Sequence, residues 1–265
     1  MIHTEPRIFA LTIDHPLFYP EMWQKVLQNS SSAFQGVFFF ERRPKNHPWL
    51  KYKMMESQFL GTKNIIKLLT VILKKQLFHF LKSREPLSVK NYFKEKGIPI
   101  YTFKSVHDPC FQEKLSALSP DLIISIGSHQ IIPKKILDIP KDGILNKHGS
   151  LLPKYAGFWP LFWALYHDES YAGVTFHKMI SKPDAGECIH QKQFMIHPND
   201  TLYNLQEKSL LLTADMVIEI LDYYCTKKNL PKFIQDPIQK DFILNEFPKR
   251  KHRLILERFK KRRIV

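Results

Sequence analysis

The sequence predicts an α/β fold, with an open, mostly parallel sheet, helices on both faces and a small basic C-terminal appendage. Short apolar runs rich in Ile, Leu and Phe alternate with longer segments of helical periodicity, which is the order of β-α-β units. Because such units join parallel strands through crossover helices, the sheet is expected to be Rossmann-like. No glycine-rich fingerprint follows the first apolar run, so neither a dinucleotide-binding site nor a P-loop is indicated.

The first half of the chain is expected to contain strands and helices in alternation. The strands are short apolar runs at residues 7–13, 36–40 and 99–101. The helices show apolar residues three and four apart, at residues 20–27, 64–81, 88–96 and 109–118. Pro20 and Pro109 at first helical positions, Asp108 as a cap and Gly97 just past a helix end mark the boundaries.

The second half continues the same alternation. Strands are predicted at residues 121–127, 143–146, 172–179 and 188–196, and helices at residues 134–137, 160–166 and 201–224. The last of these helices begins at a cap that is either Asp200 or Thr201. Beyond Leu230 the apolar periodicity is poor and the charge is high. We therefore predict an α/β domain at residues 1–225 and a basic appendage at 226–265, helical or partly disordered.

Composition restricts the class of protein. The three cysteines are widely spaced and form no C-x-x-C motif, so neither a disulfide framework nor a zinc site is expected. A cytoplasmic location is expected instead. The first residues lack the pattern of a signal peptide, and no apolar run is long enough for a spanning helix.

The formal net charge is +15, and a basic surface attracts nucleic acid, acidic lipid headgroups or phosphate-bearing substrates. Much of this charge lies at residues 63–96 and 249–263, and a solvated tail that aids solubility is an equally simple explanation for the second segment. The amphipathic helix at 64–81 has a broad apolar arc. It is expected to pack on the domain or on a partner subunit of a homo-oligomer, or to make a peripheral contact with an anionic membrane.

The most informative polar residues follow the predicted strand at 143–146. Asn146 and His148 are two apart, so on an extended strand their side chains point to the same face. Asp184 lies in a Pro-Asp-Ala-Gly turn that can hold its carboxylate toward them. An amide donor, an imidazole and a carboxylate are the groups that acyl transfer needs. A polar pair at a loop end is the alternative interpretation of the Asn-x-His spacing.

The segment at residues 121–206 resembles the folate-dependent formyltransferase family, which includes glycinamide ribonucleotide, methionyl-tRNA and nucleotide-sugar formyltransferases. The matching residues are Asn146-x-His148-x-Ser150-Leu151-Leu152-Pro153-x-Tyr155-x-Gly157, Gly173-Val174-Thr175-x-His177, Asp184-x-Gly186 and Asp200-Thr201. The resemblance implies that Asn146, His148 and Asp184 form the catalytic triad. No serine or cysteine stands where a covalent intermediate would need it, so direct attack by an amine is expected.

The resemblance also implies 10-formyltetrahydrofolate as the formyl donor and no metal. The residues expected to bind this co-substrate follow the strand at 121–127 or face it, and are Gly127, Ser128, His129, Gln130, Ile131, Ile132 and Ile180. The residues expected to touch the amine substrate are Tyr155, Phe158, Trp159 and His177. The aromatic members could stack a base or a sugar, although core packing explains such rings equally well.

The acceptor amine is inferred by elimination within the resembling family. Methionyl-tRNA formyltransferases usually carry a basic residue where this chain has Ala156, and also a C-terminal barrel domain, for which the residues after 224 are too few. The segment at residues 12–16 departs from the phosphate loop of the purine-pathway enzymes. A nucleotide-linked amino sugar is therefore the expected small-molecule substrate. The alternatives are a methionyl-tRNA formyltransferase that uses the basic tail on tRNA, and a non-catalytic RNA- or membrane-binding relative.

Overall fold

The computed structural model of the chain describes residues 5–40, 57–83, 87–127, 130–231, 244–245, 247–258 and 264–265. Its strands are β1 (Ile8–Thr12), β2 (Phe34–Phe40), β3 (Ile100–Phe103), β4 (Leu122–Ile126), β5 (Ile144–His148), β6 (Ala156–Gly157), β7 (Tyr171–Lys178), β8 (Cys188–Met195) and β9 (Leu244–Asn245). Its helices are α1 (Tyr19–Ser30), α2 (Thr62–Ser83), α3 (Val89–Glu95), α4 (Pro109–Leu118), α5 (Lys134–Leu137), α6 (Pro160–Tyr166), α7 (Leu202–Lys227) and α8 (Arg250–Arg258).

The main sheet has the strand order β3-β2-β1-β4-β5-β7-β8. The strands from β3 to β5 pair in parallel, whereas β7 and β8 are antiparallel to their neighbours. The predicted open, mostly parallel sheet is therefore confirmed. The reversal at β7 matters for the site, because it places His177 opposite Asn146 and Thr175 opposite His148.

Helices cover both faces of the sheet, as predicted. Met22 and Val217, from α1 and α7, pack on one face, and Phe111 and Ile136, from α4 and α5, pack on the other. A further cluster joins α6 to Leu256 of α8, so the described part of the C-terminal appendage packs against the α/β domain. The predicted division of the chain at residue 225 stays a prediction, and residues 259–263 of the basic tail lie outside the described residues.

Local signals set the helix ends. The Asp108 Oδ1 accepts the Cys110 N–H at 3.1 Å, which confirms this predicted cap of α4. At the start of α7, the Thr201 hydroxyl accepts the Asn204 N–H at 3.1 Å and the Asn204 Oδ1 accepts the Thr201 N–H at 3.0 Å. This capping box decides the open choice in favour of Thr201.

Lys147 is a basic residue in the middle of β5, between Asn146 and His148. Its side chain lies on the face of the sheet that also carries Leu145 and Phe176 of the first apolar cluster. Burial lowers the pKa of the Lys147 amine to about 8. The charged amine therefore destabilises the folded state at neutral pH.

We expect Lys147→Met to raise the free energy of unfolding at pH 7 by about 1–2 kcal/mol, because it removes a half-buried charge and keeps the side-chain length. The folded pKa of about 8 lies below the ordinary value of 10.5, so wild-type stability rises with pH between these values. The gain should be full below pH 8 and should shrink toward pH 10.5. Urea unfolding at both ends of this range measures it. A variant less stable at pH 7 would show that the ammonium group has a favourable partner.

Candidate active site

Asn146 lies on β5 with its side chain beside β4. Ser125 is its neighbour in the parallel pairing, and the Ser125 hydroxyl donates to Asn146 Oδ1 at 3.4 Å. This contact fixes the amide orientation, since it occupies the carbonyl oxygen and directs the Nδ2 donor away from β4. Asn146 is therefore held as a hydrogen-bond donor toward the space bordered by β7.

His177 lies directly opposite Asn146 on β7 and is 2% exposed. Its Nε2 is 3.3 Å from Asn146 Nδ2, and its Nδ1–H donates to the Lys178 carbonyl at 3.3 Å. In this tautomer Nε2 carries a lone pair that accepts from the Asn146 amide. The same nitrogen lies 3.6 Å from Asp184 Oδ1. His177 thus connects the amide to the carboxylate.

Asp184 reaches the site from the turn between β7 and β8, where its φ of 51° is left-handed. Its Oδ2 accepts the Gly157 N–H at 2.9 Å, and its Oδ1 lies 3.6 Å from His148 Nδ1. Burial alone would raise the pKa of the Asp184 carboxyl, but contacts with His177, His148 and Gly157 outweigh burial and hold that pKa below its ordinary value. The side chain is therefore a carboxylate at neutral pH.

His148 is buried at the end of β5, and its two ring nitrogens have different partners. Its Nε2–H donates to the Tyr155 carbonyl at 2.9 Å, which leaves the Nδ1 lone pair on the side of Asp184. Burial lowers the pKa of the His148 imidazole, and the Asp184 charge opposes this shift without cancelling it. His148 is therefore a neutral base near pH 7, with a carboxylate positioned to stabilise the proton it accepts.

The loop after His148 is fixed to β7 by a threonine and is held internally by a serine. Thr175 Oγ1 donates to the Ser150 carbonyl at 2.6 Å and accepts the Leu152 N–H at 3.1 Å. The Ser150 hydroxyl donates to the Lys154 carbonyl at 2.6 Å. Ser150 and Thr175 therefore support the backbone that carries the Tyr155 carbonyl and the Gly157 amide.

A sequence model described as formyl transferase matches residues 52–221, which is well over half of the chain. The chain belongs to the formyltransferase family. The resemblance seen in the motifs is thereby confirmed, and the three polar groups predicted from those motifs lie together in the structure.

Relatives of this formyltransferase chain fall into several groups. Over 136 residues it is 39% identical to a methionyl-tRNA formyltransferase of Macrococcus caseolyticus (strain JCSC5402), a match that covers 51% of this chain and 44% of that relative. The chain thus spans less than half of that protein. Its fold is similar to that of a phosphoribosylglycinamide formyltransferase from Anaplasma phagocytophilum, with a TM-score of 0.61, 17% identity and coverage of 92% of this chain and 100% of the other.

A second similar fold is an N-formyltransferase from Helicobacter canadensis, solved with folinic acid and dTDP-3-aminofucose. The TM-score is 0.55 at 16% identity, with 91% of this chain and 71% of the other covered. At such low identity these two likenesses show the shared fold, which agrees with the prediction from the sequence.

The residues predicted to bind the folate have diverse surroundings. Ile131 and Ile180 are exposed by 71% and 46%, whereas Ile132 is buried in the apolar core and offers the site only its backbone. The Gln130 side chain accepts the Val106 N–H at 3.0 Å. Gly127 has a φ of +84° and lies against Tyr19, whose hydroxyl would be 2.6 Å from an added Cβ. Ser128 and His129 lie outside the described residues.

The residues predicted to touch the amine divide between site, surface and core. His177 belongs to the polar cluster, and Tyr155 joins it through its carbonyl while its hydroxyl donates to Glu169 at 2.5 Å. Phe158 is 55% exposed. Trp159 packs against Phe59 with ring centroids 4.9 Å apart, which agrees with core packing, the alternative interpretation of this ring.

Two members of the site were not predicted from the sequence. Ser125 orients Asn146, and its signal was a single hydroxyl inside the apolar run at 122–126. The Gly157 amide binds Asp184, and no side chain marks a backbone donor of this kind. Among the described residues no group of His, Cys, Asp and Glu is suited to hold a metal ion.

Proposed function

We propose that this chain transfers the formyl group of 10-formyltetrahydrofolate to a primary amine, and that a nucleotide-linked amino sugar carries this amine. The convergence of an oriented amide donor, a neutral imidazole and an ionised carboxylate is the observation that supports formyl transfer. The site also fits a folate. Ile131 follows β4, and Ile180 lies in the same turn as Asp184; both are exposed, and exposed apolar side chains are typical of a ligand surface.

In the proposed reaction the amine nitrogen attacks the formyl carbon, and negative charge develops on the formyl oxygen. The Asn146 amide donates to this oxygen. His148 Nδ1 accepts the proton that the attacking nitrogen releases, and Asp184 stabilises the resulting imidazolium. His148 then returns the proton to the departing nitrogen as its bond to the formyl carbon breaks. The products are an N-formyl amine and tetrahydrofolate.

The exposed ring of Phe158 supports an acceptor with a planar group. Phe158 follows Gly157, whose N–H binds the Asp184 carboxylate, so the ring begins one residue from the site. A nucleobase or sugar ring could pack on it. A charged tRNA is the second candidate, because the Macrococcus caseolyticus methionyl-tRNA formyltransferase matches half of the chain and α8 carries exposed basic residues.

A panel of acceptors would test the proposal and separate its alternatives. Purified protein and 10-formyltetrahydrofolate are incubated with dTDP-linked amino sugars, charged initiator tRNA or simple amines, and tetrahydrofolate release is measured together with the mass of the product. We expect turnover with an amino sugar nucleotide and a formylated product heavier by one CO unit. If the charged tRNA were the one acceptor that gave turnover, and if that turnover depended steeply on salt, tRNA would replace the amino sugar nucleotide as the proposed acceptor. If no acceptor in the panel gave tetrahydrofolate release, the proposed reaction would be contradicted.

The pH dependence of kcat/KM tests the role of His148. We expect activity to fall as the pH drops through the His148 pKa, which burial places below the ordinary 6.5, because only the neutral ring accepts a proton. Asp184→Asn removes the charge that raises this pKa. It should therefore lower the rate and also move this acidic limb to lower pH. The amine of the acceptor substrate titrates identically in assays of both proteins. The ratio of the two pH profiles therefore reports the titration of the enzyme group alone. If the acidic limb of the Asp184→Asn profile lay at the same pH as in the wild type, or at a higher pH, the assignment of His148 as the base would be contradicted.

A further inference from the structure

The outer face of α2 is apolar although it faces solvent. We define the α2 outer face as the exposed large apolar residues of this helix, which have exposed fractions between 47% and 73% and are Ile66, Leu69, Leu73, Leu77, Phe78, Phe80 and Leu81. Most of them recur at intervals of three and four, so they form one stripe along the helix. Exposed apolar surface of this extent usually marks an interaction site.

The opposite face of α2 is firmly attached to the domain. Leu68, Val71 and Ile72 pack against the first core cluster. The Gln76 side chain pairs with both backbone groups of Leu87 at 2.9 Å, and Lys75 Nζ lies 2.7 Å from Glu21 Oε1. These contacts fix the rotation of the helix about its own axis. The α2 outer face therefore cannot turn inward to bury itself in the domain.

Charge along α2 has a single sign. The helix contains lysines and no aspartate or glutamate, and Lys63, Lys67, Lys74 and Lys82 are exposed. On a helical wheel the first three of these lie along one side of the row formed by Ile66, Leu69, Leu73, Leu77 and Phe80. Phe78 and Leu81 lie on that same side, in the last turns of the helix. Lys249, Arg250 and Lys251, around the start of α8, are exposed as well. α8 lies beside the first turn of α2, where Asn64 Nδ2 donates to Glu257 Oε1 at 2.9 Å.

We propose that the α2 outer face docks the protein on the surface of an anionic phospholipid bilayer. The helix would lie in the plane of the interface, with its apolar stripe among the acyl chains and its lysines at the headgroups. Within the described residues, no helix has the length and apolar character needed to cross a bilayer. The proposal is independent of the proposed formyl transfer.

Charge favours lipid over a second copy of the chain as the occupant. Two copies joined in an isologous antiparallel pairing of α2 would bring the lysine-rich flank of one helix beside that of the other. No carboxylate on α2 could pair with these lysines. An anionic lipid surface supplies the compensating charge along the whole flank.

Vesicle cosedimentation of the full chain tests the proposal. The probes are vesicles of phosphatidylcholine with and without phosphatidylglycerol, at low and moderate salt. We expect binding to the anionic vesicles. The combined change Leu69→Ser, Leu73→Ser and Leu77→Ser should weaken it roughly a hundredfold, about fivefold for each half-exposed leucine. The combined change Lys63→Gln, Lys67→Gln and Lys74→Gln should weaken it by a similar factor.

Matched controls separate this face from the general positive charge. Leu211→Ser alters an exposed leucine on α7, and the combined change Lys134→Gln, Lys135→Gln and Lys141→Gln removes equal charge near α5, on the opposite side of the sheet. Both should leave vesicle binding within about twofold. Circular dichroism checks that each variant is folded.

Three results would overturn the proposal. One is the absence of binding to anionic vesicles. Another is equal weakening by both lysine variants, which would indicate attraction by net charge alone. The third is a lipid-free dimer, seen by light scattering, that the leucine variant dissociates. Because the assay needs neither folate nor an acceptor, its failure is distinguishable from failure of the proposed reaction.

Discussion

Asn146→Ala is expected to lower kcat by about 10²–10³, because loss of one preorganised donor to a developing oxyanion has an effect of this size. The Ser125 hydroxyl already holds the Asn146 carbonyl oxygen, so the wild-type amide needs no reorientation as the charge develops. The donor acts on charge that appears in the transition state. The KM for the folate should therefore change little while kcat falls.

Steady-state kinetics with the acceptor identified by the panel measures this effect. Asn146→Asp keeps the size of the side chain and replaces the donor by an acceptor, so it should lower kcat at least as far. Asn29→Ala, at an exposed position on α1, removes the same amide group remote from the site and serves as the control. A kcat within about threefold of wild type for Asn146→Ala, with the fold intact, would remove Asn146 from the proposed oxyanion site.

Gly186→Ala is expected to abolish most activity through the position of Asp184. A Cβ on Gly186 would lie 1.7 Å from the Lys178 carbonyl oxygen and 2.9 Å from its carbon, and these backbone atoms belong to β7. The turn between β7 and β8 must therefore shift, and Asp184 is two residues away within it. A misplacement of about 1 Å can reduce the rate about 10²-fold. We expect a loss of at least that size.

The measurement is kcat/KM together with thermal unfolding, because a shifted surface turn should alter activity more than global stability. Gly97→Ala is the matched control, since Gly97 has open space around its Cβ position but a φ of +68°. That change should cost about 1 kcal/mol of stability and leave kcat unchanged. If Gly186→Ala retained full activity, the turn would have to absorb the clash without moving the carboxylate.

Features set by neighbouring residues were predictable from the sequence. The cap Asp108 and the turn glycine Gly97 depend on backbone groups within a few positions, so their residue types indicate their structure. The same rule narrowed the cap of α7 to Asp200 or Thr201, and the structure shows Thr201. The position of the Asn146 and His148 side chains on the same face of β5 follows in the same way from the two-residue period of a strand. Motifs then added Asp184, which no local rule connects to β5.

Features set by pairing between distant segments were not predictable. The role of Ser125, and the contacts of His177 with Asn146 and Asp184, follow from the register of β4 and β7 against β5, and a single sequence does not give this register. The Gly157 amide was not predictable because a backbone donor has no residue-type signature. The outward direction of the α2 apolar stripe likewise depended on which side of the helix met the domain, since both sides carry large apolar residues.

The site described above has three polar side chains on paired strands and one on a turn. Asn146, His148 and His177 move with the sheet, which is braced by core on both faces, whereas Asp184 is carried by the short segment between β7 and β8. The carboxylate that carries the negative charge of the site is thus the one group whose position is set by a turn and not by the sheet. Substitutions distant from the substrate should alter turnover chiefly when they alter that turn. Directed evolution toward new acceptors should accumulate changes around residues 179–187 before it alters the strands.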